Sequence, residues 1–193
     1  MSIPTHEERE EVKATLAFIR QTMESASSFT AISGWGLLGV GVLGLVASGV
    51  AARLEDPTTL RVWIPTAALA VVVAGVANAY KARRLDVPLW SGSFRKLVWV
   101  MAPVVVAGAV LTYALAGAGA RALLPGLWLA LYGAGVTAGG TLSVRAIRGM
   151  GLVLLAFGAA ALLAPQWGSM LLAAGFGAIH LIFGILVLTR HGG

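Results

Sequence analysis

Six apolar stretches fill the chain from Thr30 to Thr189, broken by short charged or turn-rich connections. A helix needs about 20 apolar residues to cross a hydrocarbon core ~30 Å thick, and in lipid it satisfies its own backbone groups. Stretches of that kind cover Thr30–Ala52, Val62–Tyr80, Leu97–Gly117, Ala122–Val144, Gly149–Ala164 and Ser169–Thr189. The fifth is short and crosses if Arg148 snorkels to the interface. The pattern predicts an all-α, polytopic membrane protein, with residues 30–193 forming a six-helix transmembrane domain. The tight connections Pro165-Gln166-Trp167-Gly168 and Gly117–Leu124 join neighbouring spans as hairpins. Lys81, Arg145 and Arg190 close the even-numbered spans, which hints at three hairpin units.

The segment ahead of the first span, residues 1–29, follows a different period. Thr5-His6-Glu7-Glu8 reads as a capping box behind Pro4, with an acidic first turn that suits the helix dipole. Val12, Leu16, Ile19 and Met23 then recur at helical spacing and make one apolar stripe. This predicts an amphipathic cytoplasmic helix over about Thr5–Ser25. Glu7, Glu8, Glu10 and Glu11 on its polar face are repelled by an anionic leaflet, so the stripe suits a protein surface. Its mate is the chain's own basic loops, a partner protein or a second copy. An acidic, polar start is also unlike a cleaved signal peptide.

Composition fits the same class. The chain is 58% hydrophobic and 11% charged, with mean hydropathy +0.86, too little charge to cover a soluble surface. No cysteine is present, which excludes disulfides, thiolate chemistry, iron–sulfur clusters and cysteine-based zinc sites. Of the 14 Lys and Arg, eleven fall on one side: Arg9, Lys13, Arg20, Lys81, Arg83, Arg84, Arg95, Lys96, Arg145, Arg148 and Arg190. Only Arg53, Arg61 and Arg121 fall on the other, so the positive-inside rule puts both termini in the cytoplasm. Basic residues that hug span ends argue against nucleic-acid binding.

Trp35, Trp63, Trp99 and Trp167 sit near span ends, as interfacial anchors do. The stretch from Lys81 to Lys96 interleaves Leu85, Val87, Leu89, Trp90 and Phe94 with cations. It is expected to lie on the cytoplasmic leaflet, where Lys81, Arg83, Arg84, Arg95 and Lys96 attract anionic lipid at about 1 kcal/mol each.

The 25 glycines lie mostly inside spans, where small residues let helices approach closely. Gly126, Gly133 and Gly140 line one face of the fourth span, and Gly135 and Gly139 another with Trp128 and Tyr132. That span is expected at the centre of the bundle. Gly34, Gly41 and Ser48 mark a seam on the first span, Gly151 and Gly158 on the fifth, and Gly177 and Gly184 on the sixth.

No Asp or Glu lies in any span, which argues against ion coupling through a membrane carboxylate. The one ionisable residue near the midplane is His180, and Tyr132 and Trp128 lie at similar depth. These three form the candidate intramembrane polar cluster, with Tyr132 and His180 expected to face each other. The plain reading is a neutral imidazole satisfied inside the bundle; a polar constriction in a solute path and a pigment ligand at His180 are the alternatives. No metal set, catalytic set or cofactor is expected. Ser91-Gly92-Ser93 lacks a nucleophile elbow, and Glu55-Asp56 alone make no site.

Phe18-Ile19-Arg20-Gln21-Thr22-Met23-Glu24, Ser33-Gly34-Trp35-Gly36, Pro125-Gly126-Leu127-Trp128, Tyr132-Gly133 and His180 resemble a family of six-span bacterial membrane proteins without assigned activity. Arg148-Gly149-Met150-Gly151, Gly158, Pro165 and Gly184 are more remotely similar to the hairpin units of HdeD-like acid-resistance membrane proteins. The resemblance implies a bacterial inner-membrane location. The expectation is a non-enzymatic accessory or interaction protein. A small-solute channel or carrier, such as the binding subunit of an importer, is the alternative.

Overall fold

The computed structural model describes residues 6, 10–13, 15–19, 32–54, 56–84 and 92–191. The helices are α1 (Gly34–Ala51), α2 (Asp56–Arg84), α3 (Gly92–Gly117), α4 (Leu124–Gly139), α5 (Arg145–Leu163), α6 (Gly168–Ala173) and α7 (His180–His191). A π-helical segment, Ala174–Ile179, fuses α6 to α7 as one span. The protein is all-α, and six of its helical spans are long and apolar enough to cross a membrane. Met23, the capping-box residues Thr5, Glu7 and Glu8, and residues 85–91 of the connection between Lys81 and Lys96 lie outside the described residues.

Local chemistry sets the boundaries. Ser33 is extended and its hydroxyl accepts from the Gly36 amide, so α1 begins at Gly34 rather than at Thr30. Gly119, at φ +74°, takes the left-handed turn that leads from α3 toward α4. The fourth span stops at Gly139 and a 3-10 turn follows, so it does not run as a regular helix to Val144. The fifth gains what the fourth gives up. It starts at Arg145, not Gly149, and at 19 residues is no shorter than α1. Arg145 and Arg148 therefore stand in its first turn, both exposed.

Two glycine seams hold the bundle. In the α4–α5 hairpin, a Cβ on Gly126 would lie 2.8 Å from the Leu162 amide nitrogen. Gly133 likewise meets the Leu155 backbone, Gly151 meets Thr137 and Gly158 meets Ala130, each at a distance no side-chain carbon tolerates. In the second seam α1 runs along the sixth span. Gly34 meets Leu188 and the Gly184 carbonyl, Gly41 meets Leu181, Gly44 meets the Phe176 carbonyl, and Gly184 meets Leu38. Ser48 turns its hydroxyl back to the Gly44 carbonyl instead of across the seam.

The sixth span also packs on α4 and α5, which joins the seams around Leu129, Met150, Leu154, Ala161 and Leu172. The remaining helices are flanks: α2 lies on α1, and α3 on α4. Their exposure follows from that position. Of the apolar window in α4, 39% is buried, against 0% in α2 and 6% in α3. The second face of α4 meets α3, with Gly139 against Leu97 and Gly135 against Met101 and Val104.

Gly158→Leu is expected to destabilise the protein by about 3 kcal/mol or more, because the added side chain enters the Ala130 backbone. Gly75→Leu should be nearly neutral, since a Cβ there has open space. Thermal melts in one detergent compare the two; equal losses would contradict the seam. Cysteines placed by Arg190→Cys and Pro165→Cys, at opposite ends of one span, should label from opposite faces of sealed vesicles.

Candidate functional site

His180 opens α7 directly after the π segment and is 0% exposed. Its neighbourhood depends on how that segment is built. Gly175 faces the Leu129 and Leu154 side chains, while Gly177 faces Leu45 of α1. Small residues on both sides let helices clasp the widened turn. Widening also changes the carbonyl arrangement, and the His180 ring takes up Gly175 O, with Nδ1 at 2.9 Å.

This contact fixes the tautomer. A carbonyl only accepts, so Nδ1 carries the proton, and in the neutral ring Nε2 is left as acceptor. The Tyr132 hydroxyl lies 3.3 Å from Nε2 and donates to it. Tyr132 and His180 thus meet directly, between the fourth and sixth spans. Both ring nitrogens are engaged and the ring is enclosed, which leaves no open position for a pigment or metal at His180. Among the described residues no cluster of His, Asp and Glu is arranged to hold a metal ion.

Phe176 completes the cluster and was not legible as a member. Its ring lies 5.6 Å from His180 at 16° and 5.2 Å from Tyr132 at 39°. Trp63 of α2 lies 6.2 Å from Phe176, tilted by 52°. Trp63, Phe176 and Tyr132 are each part-exposed, so an aromatic ladder from three spans ends on the buried imidazole. The available signal was the Gly175-Phe176-Gly177 triplet one turn before His180.

Trp128 does not belong to this cluster. It points to α3, where its Nε1 donates to the Thr112 hydroxyl at 3.0 Å and its ring lies over Gly108. Sequence spacing places Trp128 and Tyr132 on one face, but neighbouring helices on two sides draw the side chains apart. Tyr132 instead packs with Val136, Ile147 and Val187.

A second polar node ties the α1–α2 hairpin. Asn78 Oδ1 accepts from the Ser33 amide at 2.8 Å, and Lys81 Nζ donates to the Ile32 carbonyl at 3.2 Å. Lys81 is only 5% exposed, which corrects its expected place among the lipid-facing cations. Arg83, Arg84, Arg95 and Lys96 are exposed. At the front of the chain Val12, Leu16 and Ile19 are helical and 57%, 60% and 46% exposed. Glu10 pairs there with Lys13 at 2.9 Å.

No family model, curated protein or solved structure matches the chain.

Tyr132→Phe removes the donor to Nε2 while keeping the ring stack. It is expected to cost about 1 kcal/mol, the scale of one interhelical hydrogen bond in a membrane. Phe176→Ala should cost more, about 3 kcal/mol or above, because it opens a cavity between Tyr132, His180 and Trp63. Unfolding in a graded detergent mixture measures both, and a neutral Phe176→Ala would rule out the ladder as part of the core.

Proposed function

We propose that this chain is a non-enzymatic accessory protein of the bacterial inner membrane, which acts by holding another protein at the cytoplasmic face. Both termini are cytoplasmic in this reading, which the distribution of Lys and Arg supports. The observation that carries it is the exposed stripe Val12, Leu16 and Ile19 on the front helix. Inside the bundle, by contrast, the deep imidazole has partners on both nitrogens. Chemistry available to a partner therefore lies at the surface. The acidic positions Glu7, Glu8, Glu10 and Glu11 beside the stripe favour a partner with an apolar groove edged by cations.

The second reading, a small-solute channel or carrier, draws on the part-exposed ladder of Trp63, Phe176 and Tyr132. A neutral solute with an apolar body would stack along it.

A photo-crosslinking residue in place of Leu16 is expected to trap one protein in intact membranes, in a ratio near one to one. Leu16→Glu should abolish its co-purification in mild detergent without changing the melting temperature. An unpartnered protein that takes up solute in liposomes, with uptake lost on Phe176→Ala, would replace this reading with the second.

A further inference from the structure

The ends of α2 and α3 meet: Phe94, in the first turns of α3, packs on the buried Ala82 in the last turn of α2. Arg83 and Arg84 stand on one side of that contact, Arg95 and Lys96 on the other, and all four are exposed. None of the four makes an ion pair among the described residues. Arg84 lies over the Tyr80 ring at 5.6 Å. Asp86, the acid of the connecting loop, lies outside the described residues.

Helix electrostatics explain only half of this patch. Arg83 and Arg84 suit the carbonyl end of α2, whereas Arg95 and Lys96 stand at the amide end of α3, where cations are unfavourable. No acid lies in that first turn. The α3 side of the patch is thus positive from both side chains and backbone, and an external anion is what would relieve it.

Beyond the patch the two helices expose apolar side chains. Val72, Val76 and Tyr80 of α2 and Val98 and Trp99 of α3 are exposed, and these two spans are the least covered of the bundle. An anionic head joined to apolar tails fits both halves. We propose that the α2–α3 junction binds an anionic phospholipid, its phosphate among Arg83, Arg84, Arg95 and Lys96 and its acyl chains along the exposed faces of α2 and α3. The proposal does not rest on the docking reading, and either can fail without the other.

Native mass spectrometry of the detergent-purified protein tests this with equimolar phosphatidylglycerol and phosphatidylcholine. Phosphatidylglycerol is expected to be retained at least about fivefold over phosphatidylcholine, the scale of one cation near an anionic surface. The joint variant R83Q/R84Q/R95Q/K96Q should bind the two lipids equally. R145Q/R148Q, which removes exposed cations elsewhere, should keep the preference, as should R83K/R84K/R95K. Should the fourfold variant fail to fold, R95Q/K96Q alone should still lower the ratio. Equal retention by the natural protein overturns the proposal, as does a preference that survives the fourfold change or falls equally with R145Q/R148Q. A preference that emerges only after E7Q/E8Q/E10Q/E11Q also overturns it, because the acidic front helix would then be the occupant.

Discussion

In hydrocarbon, water no longer drives apolar helices together, so a bundle depends on how closely two backbones can approach. Here that approach is made in two places, by α4 with α5 and by α1 with the sixth span. Every other contact is arranged around them. The sixth span is common to both halves because it packs on α1 with one side and on α4 and α5 with another. Leu129, Met150 and Leu154 fill what the glycines leave.

The same span carries the buried imidazole of His180, and the two facts share a cause. A wide turn with Gly175 and Gly177 lets Leu129 and Leu45 press in from opposite sides. It also brings the Gly175 carbonyl to the His180 ring, where an unpaired polar group would be costly. Tyr132 then supplies the donor to Nε2. The imidazole therefore links the α4 side of the bundle to an irregular piece of backbone, and Phe176 packs across both rings.

Much of this could be read from residues alone. Hydrophobic length gave the six spans, and the seven-residue spacing of Gly126, Gly133 and Gly140 marked a seam without naming its mate. Depth along the span placed Tyr132 level with His180. What escaped depended on neighbours. Trp128 shares a helical face with Tyr132 by spacing, yet Gly108 and Thr112 of α3 draw it away. Lys81 reads as an interfacial cation until Ile32, many residues distant, offers it a carbonyl. The π segment was illegible because its sequence, Ala174–Ile179, also suits an ordinary α-helix. The start of the first span moved where a cap outweighed hydropathy, at Ser33.

The pairing of α1 with the sixth span has a consequence for biosynthesis. Spans leave the ribosome in chain order, so α4 and α5 can close their seam as soon as both have entered the bilayer. The α1 glycines that meet the sixth span must wait until it is made. During that interval Gly34, Gly41 and Gly44 face lipid or a neighbouring chain, a notch into which any small-residue helix would fit. Assembly thus ends by joining the first span to the sixth, and the order of synthesis leaves that closure as the step open to error.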